Sequence, residues 1–152
     1  MARDNSSPVS QFNFTVQLGP GNLAGFQEVA GHGMEIHVAE YRNGSSTENS
    51  PQKITGSYKI NDVTLKRGVY VGDLATLYNW IDAVRNGDQT QGRTVTITLN
   101  DENVTSPTVV RTWTLTNARP IKLTGPALTG KGTDVAIEEL VLISERIVQA
   151  LS

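Results

Sequence analysis

In two runs of the sequence, an arginine is followed by strict alternation between threonine and apolar residues. They are residues 93–99 and 111–116, and their threonines are Thr94, Thr96, Thr98, Thr112, Thr114 and Thr116. A period of two is typical of a β-strand that buries one face, and β-branched residues favour strands. Turn-forming residues separate the two runs. Together the runs therefore predict an antiparallel hairpin with one apolar face and one threonine face.

Other segments show the same period of two. Residues 12–18 set four apolar side chains on one face, and a glycine-rich turn then allows residues 26–29 to return as a second strand. Residues 34–41 predict a strand with one apolar face. Residues 53–67 predict short strands around Asn61-Asp62. The chain is therefore rich in strands.

One segment has the period of an amphipathic helix. From about residue 73 to 86, apolar side chains recur at spacings of three and four residues, at Leu74, Leu77, Ile81 and Val84. Asp73 is placed as the N-cap, and Asn86-Gly87 supplies a left-handed stop. Residues 135–151 fit both a strand and a helix, and their periodicity leaves the two alternatives open.

Seven or eight strands and one inserted helix predict a mainly β protein of the α+β class. The length of 152 residues suits one domain, which we assign to residues 12–152. Residues 1–11 are polar, contain Pro8 and have no periodicity. We expect them to form a flexible N-terminal arm.

Charge and cysteine content argue against several classes of protein. Thirteen Lys and Arg against fifteen Asp and Glu give a net charge of −2, which disfavours non-specific binding to nucleic acid. The chain contains no cysteine, so it has no disulfide and no Cys-ligated zinc. No run approaches about eighteen apolar residues, and the N-terminus lacks an apolar signal region. We therefore expect synthesis in the cytoplasm without a signal peptide.

Two motifs suggest chemistry, and both are incomplete. Residues 125–132 match part of a phosphate-binding loop, but Gly132 stands where a magnesium-binding Ser or Thr belongs. His32, Glu35 and His37 carry metal-ligating side chains, yet nothing else in the sequence supports a metal site. The sequence has no G-x-S-x-G elbow. We expect no catalytic residue, no metal and no cofactor.

The threonine faces also bear on assembly. Natural monomers usually place charged residues on exposed sheet edges, where they prevent pairing with other chains. Here the outward positions of the hairpin hold threonine rather than Lys or Glu. Lateral assembly of copies is therefore one hypothesis. Edges that pair through different surfaces build either a closed ring or a helix.

Six segments follow one another in a characteristic order, namely FNFTVQLG, GFQEVAGHGMEIHVAEYRNG, NDVTLKRGV, DLATLYNWIDAVRNG, TVTITLND and VAIEELVLISE. In that order and spacing they resemble the tail-tube proteins of contractile phages and related contractile injection systems. The resemblance covers about residues 10–148. The pairing of the F-x-E-V…E-Y-R segment with T-L-K-R-G is its most specific part.

The resemblance implies two packed antiparallel sheets that form a small barrel with one flanking helix, and it favours a strand for the C-terminal segment. It implies a homo-hexamer that stacks into a hollow tube, with sheath, baseplate and spike proteins as partners and effector or nucleic-acid cargo in the lumen. Sheath contraction drives such a tube through a target envelope. The implied protein is made in the bacterial cytoplasm, joins a virion tail or injection particle, catalyses nothing and inserts into no membrane by itself.

The resemblance also points to two sets of side chains. The loop after Tyr41 reaches toward the next ring, which makes Arg42, Asn43, Lys53, Lys66 and Arg67 the candidates for inter-ring contact. A conduit needs a wall that gives cargo few apolar anchors. We therefore expect one of two sets to face the lumen, either Thr94, Thr96 and Thr98 or Thr112, Thr114 and Thr116.

Two other interpretations stay open at this point. A monomeric β-sandwich binding module would expose aromatic residues, whereas Trp80 and Trp113 have the spacing of core residues. An enzyme would depend on the incomplete phosphate loop or on the two histidines.

Overall fold

A computed structural model describes residues 8–19, 23–42, 44, 51–69, 76–103 and 105–151. Within these ranges the chain forms ten strands and one helix. In chain order they are β1 (Phe14–Leu18), β2 (Leu23–Ala24), β3 (Glu28–Ala30), β4 (Met34–Tyr41), β5 (Gln52–Ile60), β6 (Val63–Gly68), α1 (Thr76–Arg85), β7 (Arg93–Asn100), β8 (Val109–Thr124), β9 (Ile137–Ile143) and β10 (Arg146–Leu151).

Eight of the strands form one antiparallel path that folds into two sheets sharing β8. The first half of β8 pairs with β7 and β10, and its second half pairs with β9. The first sheet therefore has the order β2-β1-β7-β8-β10, and the second sheet has the order β8-β9-β6-β3. Asn117 lies at the crossing with a φ of 53°, a left-handed conformation that asparagine adopts more readily than most residues.

Gly92 lies against the Asn117 side chain at this crossing. A Cβ atom at position 92 would collide with the Asn117 side chain. Glycine leaves that space free, because it has no side chain. A larger residue at position 92 would force the Asn117 side chain to move.

One hydrophobic cluster joins the two sheets. It contains Val16, Leu18, Val95, Ile97, Leu115 and Ile147 from the first sheet and Val63, Leu65, Leu140 and Leu142 from the second. None of these side chains is more than 6% exposed. Burying an aliphatic side chain of this size stabilises a protein by about 1.5–3 kcal/mol. Burial of this cluster is therefore the main interaction that holds the two sheets together.

The helix α1 packs against β8. Leu77 and Trp80 are buried, and the Trp80 indole N–H donates a hydrogen bond to the Gln91 carbonyl at 2.8 Å. After Arg85 the chain turns back through Gly87, whose φ is 90°, with hydrogen bonds from Gly87 N to Val84 O and from Asp88 N to Ala83 O. This pair of bonds is the Schellman motif that ends many helices. Among the described residues, no helix has the length and apolar character needed to cross a bilayer.

The structure confirms a mainly β fold with one helix and a strand conformation for the C-terminal segment. The predicted hairpin is present as β7 and β8. The helix occupies Thr76–Arg85 of the predicted 73–86, and the proposed N-cap Asp73 lies outside the described residues.

Two predicted strand boundaries were wrong. The first strand begins at Phe14 rather than residue 12, because Asn13 is bonded to the turn between β7 and β8 and Phe12 lies beyond the last cross-strand pair. The strand that returns onto β1 is β2 at Leu23–Ala24 rather than 26–29, and the next strand, Glu28–Ala30, pairs with β6 instead, starting at the pair Glu28–Lys66.

We predict that Leu65→Ala lowers the free energy of unfolding by about 2–5 kcal/mol, because it leaves a cavity at a fully buried position. Leu128→Ala is the matched control at a position that is 85% exposed, and it should change the stability by less than about 0.5 kcal/mol. Urea unfolding of the dissociated subunit, followed by tryptophan fluorescence, measures both. Equal effects of the two substitutions would contradict this assignment of the core.

Candidate assembly surfaces

The six threonines of the hairpin lie on one face of the first sheet. Thr96 pairs with Thr114, and Thr98 pairs with Thr112. Residues directly opposite each other in an antiparallel pair project to the same side of the sheet. The alternative between one threonine set and the other therefore disappears, because both sets face the same way.

The neighbouring strands extend this surface, which we call the threonine face. Its members are Thr15, Gln17, Thr94, Thr96, Thr98, Thr112, Thr114, Thr116, Arg146, Val148 and Ala150. Arg146 carries the one formal charge among them. Most members are short and polar. On the opposite side of the same strands, the core holds the buried side chains of Val16, Val95, Ile97, Leu115 and Ile147.

The outer face of the second sheet has a different character. Glu28, Lys66 and Glu139 form a row across β3, β6 and β9, and Lys66 Nζ lies 3.7 Å from Glu28 Oε2. Ion pairs this exposed add little stability. They do give this side of the subunit a charged surface, whereas the threonine face is almost neutral.

The strand path is open at its edges in the part of the chain that the structure describes. β10 pairs with β8 on one side, and its other side has no strand partner there. At the opposite edge of the first sheet, β2 pairs only with Val16 and Gln17 of β1. Open edges present unpaired backbone N–H and C=O groups that a strand from another chain can bind.

β4 and β5 form a separate two-stranded ribbon. All eight residues of β4 and eight of the nine residues of β5 are exposed. Met34, Ile36, Val38 and Tyr58 give one of its faces an apolar surface, and each of these side chains is 52–57% exposed. A two-stranded ribbon is at best marginally stable in water by itself, and contiguous exposed apolar patches mark interfaces. The ribbon is therefore the clearest candidate for a contact between copies.

The base of the ribbon lies beside the open edge of β10. Met34, Ile36 and Tyr58 line a cavity of about 280 Å³ together with Arg146 and Ile147. A strand that paired with the free side of β10 would therefore lie close to the apolar face of the ribbon.

The structure separates the five predicted inter-ring residues. Arg42 and Lys53 lie together at the far end of the ribbon, where Lys53 pairs with Glu40, and Asn43 lies outside the described residues. Lys66 and Arg67 belong to β6 in the body of the subunit. Lys66 pairs with Glu28, and the Arg67 side chain, 13% exposed, forms an ion pair with Glu138. The apolar ribbon face and the β10 edge were not among the predicted site residues.

The residues considered for chemistry do not form a site in the described ranges. The His32 ring packs edge-to-face on Trp113, with centroids 4.5 Å apart, whereas Glu35 and His37 lie on the exposed strand β4. The described residues contain no group of three His, Asp or Glu side chains placed to hold a metal ion. Residues 125–132 form an exposed loop with a turn closed by Gly132 N and Thr129 O.

The family comparison gave a match over most of the chain. The profile of the family described as T4-like virus tail tube protein gp19 matches residues 10–148. The comparison with curated proteins gave no match.

Solved structures also resemble the chain. One is a chain of the PVC sheath-tube complex, an extracellular contractile injection system in the extended state, with a TM-score of 0.84, 26% identity and coverage of 99% of this chain and 100% of that chain. Another is a chain of the anti-feeding prophage cap, described as the AFP tube terminating cap, with a TM-score of 0.85, 26% identity and coverage of 100% and 95%. Hcp1 from Flavobacterium johnsoniae shares the fold, with a TM-score of 0.54, 11% identity and coverage of 91% and 95%.

His32 gives a testable pH dependence. Burial lowers the pKa of His32 below its usual 6.5, and its Nδ1 atom is buried without a hydrogen-bond partner. The unfolded chain therefore binds a proton more readily than the folded subunit, so the stability present above about pH 6.5 falls as the pH drops below it. We predict that His32→Phe makes the free energy of unfolding less dependent on pH between about 7.5 and 5.

The matched control is His37→Phe, because His37 is exposed on β4. Urea titrations of the dissociated subunit at several pH values measure all three proteins. An unchanged pH dependence in His32→Phe would contradict the role of this buried imidazole.

Proposed function

The chain belongs to the T4-like virus tail tube protein family, whose profile matches residues 10–148, and we propose that its copies close into hexameric rings that stack into a hollow conduit. It is a structural subunit of an inner tube. The observation that carries the proposal is the combination of a nearly neutral sheet face with two sheet edges that no strand of the described residues covers.

Ring closure follows from the two edges of the first sheet. The free side of β10 in one copy pairs with the β1–β2 edge of the next copy, so that the sheet continues from subunit to subunit. The two edges are different surfaces, and such head-to-tail contacts close into a ring when the rotation between copies permits it. Main-chain hydrogen bonds supply the affinity, as in other cases of strand addition. The ribbon beside β10 covers the joint with its apolar face.

The threonine face then lines the lumen. Short polar side chains offer passing cargo few apolar anchors, and the near absence of charge limits ionic adhesion. The charged outer face of the second sheet, with Glu28, Lys66 and Glu139, is directed outward. A contractile sheath has charged groups to bind on that side.

The remaining partners follow from the family and from its relatives. The PVC structure is described as a sheath-tube complex and the AFP structure as a tube-terminating cap. We propose corresponding partners for this chain, namely a sheath around the tube and a cap, a baseplate and a spike at its ends. Sheath contraction drives the tube and its effector or nucleic-acid cargo through a target envelope. The subunit is made in the bacterial cytoplasm and then joins a virion tail or an injection particle, where it catalyses no reaction.

Electron microscopy of the purified protein tests this proposal. We expect rings with six-fold symmetry and, at higher protein concentration, stacked tubes. A monodisperse monomer at every concentration tested would overturn it.

The position of the threonine face is tested by labelling. The chain has no cysteine, so Thr96→Cys introduces a unique thiol. In assembled tubes, we expect a small maleimide to label this thiol and a maleimide on a polymer too large to enter the lumen to leave it unlabelled. Lys122→Cys, exposed on the second sheet, is the control that both reagents should label. Labelling of Thr96→Cys by the large reagent in intact tubes would contradict the luminal position.

A charge placed on the apolar face of the ribbon tests whether that face forms a contact between copies. We predict that Val38→Lys raises the protein concentration needed for ring formation at least about tenfold, which corresponds to about 1.4 kcal/mol per contact. His37→Lys places the same charge on the opposite ribbon face and is the matched control. Sedimentation velocity measures ring formation, and circular dichroism verifies that both subunits fold. Equal behaviour of the two variants would contradict a contact through the apolar face.

A further inference from the structure

The half of the β4–β5 ribbon that lies nearest the body of the subunit is apolar on one face only. Ile36 pairs with Tyr58, and residues paired in this way project to the same side of the ribbon. The pair Glu35–Lys59, one position closer to the body, projects to the opposite side. This half therefore has the apolar face described above and a charged face behind it.

A β-bulge in β5 changes this arrangement in the outer half of the ribbon. From the pair Ile36–Tyr58 to the pair Val38–Thr55, β4 advances by two residues and β5 advances by three. The extra residue shifts the alternation of side chains along β5, so that later residues project to the other side. In a regular strand Ile54 would share the face of Tyr58, whereas here it lies on the opposite face.

The apolar residues of the outer half therefore lie behind the apolar face of the inner half. Ala39 pairs with Ile54, and Tyr41 is the diagonal neighbour of Ile54 on the same side, within reach of an aromatic ring. The other side of the outer half carries the charged pair Glu40–Lys53. Tyr41 is 54% exposed and Ile54 is 53% exposed. We call Ala39, Tyr41 and Ile54 the outer patch.

We propose that the outer patch binds a copy of this chain in the adjacent ring, so that each ribbon joins two other copies through its two faces. The inference rests on the rings and their stacking proposed above. In that arrangement, the apolar face near the body covers the joint with a neighbour in the same ring. A two-stranded ribbon is a single layer, so the outer patch points away from that neighbour and needs a different partner.

The geometry of a closed ring favours a partner in the next ring. Each copy uses its two sheet edges for its two neighbours within the ring, and the remaining neighbours of a stacked ring lie above and below it. The ribbon has the length for such a contact, because the eight residues of β4 span about 26 Å at about 3.3 Å per residue. Exposed apolar patches mark interfaces, and this one repeats in every copy of the tube.

Site-specific photocrosslinking identifies the partner of the outer patch. Tyr41 is replaced by p-benzoylphenylalanine, an aromatic residue that bonds to neighbouring C–H groups on irradiation. In tubes assembled from the purified protein, we expect a ladder of covalent oligomers that extends beyond six subunits on denaturing gels. The same replacement at Glu40, the adjacent residue on the opposite face, is the matched control and should give no oligomer larger than six.

A second measurement uses the length of the tubes. Ile54→Lys places a charge in the outer patch, and it should leave ring formation unchanged and shorten the tubes at least severalfold in electron micrographs. Ile54→Val keeps an apolar β-branched side chain and should leave the length unchanged. Intact rings of Ile54→Lys verify that this variant folds.

Three results would overturn this inference and leave the proposed function standing. They are a Tyr41 ladder that stops at six subunits, tubes that give no crosslink from position 41, and tubes of normal length in Ile54→Lys. If the natural chain itself forms no rings, the proposed function fails, and the inference fails with it.

Discussion

Backbone hydrogen bonds left unmade at the edges of the first sheet are the constraint on which the rest of the structure depends. The core of the subunit is complete, since Leu65, Leu115 and Leu140 are all but inaccessible to solvent. The edges are not complete, because the outer side of β10 has no strand partner among the described residues. Buried polar backbone groups need partners, and exposed edges invite them from other chains. The core therefore stabilises the subunit, and the open edges allow copies to assemble.

The alternating sequence lets the same strands fill the core with one face and form an assembly surface with the other. Val95, Ile97 and Leu115 fill the core, and the threonines between them form a nearly neutral face on the other side. Threonine keeps the β-branched shape that suits a strand and adds a hydroxyl group that water solvates. Alanine would give a small side chain with weaker strand preference, and lysine would bring charge. Threonine is thus well suited to a wall along which other molecules pass.

The local sequence pattern predicted the strands and the helix better than it predicted which of their faces are buried. The period of two in residues 34–41 indicated an apolar strand face, but periodicity does not reveal that Met34, Ile36 and Val38 remain exposed in a ribbon. The periodicity of the C-terminal segment fitted both a strand and a helix. Its pairing with Thr112–Thr116 of β8 shows that it is a strand. That pairing joins residues far apart in the sequence, which no local pattern reports.

The prediction of the inter-ring residues was limited in the same way, because it could not report contacts between residues distant in sequence. Lys66 and Arg67 belong to the T-L-K-R-G segment that carries the resemblance, yet they form ion pairs with Glu28 and Glu138, which are distant in sequence. Register also determined that both threonine sets share one face, an arrangement that the sequence left as an alternative. The candidate assembly surface is therefore a product of strand pairing rather than of any single motif.

Hydrogen exchange along β10 shows whether a neighbouring copy completes the edge of the first sheet. The amides of Arg146–Leu151 that point away from β8 have no strand partner in the described subunit, whereas a neighbouring copy would bind them in a ring. We expect these amides to exchange rapidly in dissociated subunits and to be strongly protected in assembled tubes, with the central strand β8 protected in both states. Equal exchange of the β10 amides before and after assembly would contradict it.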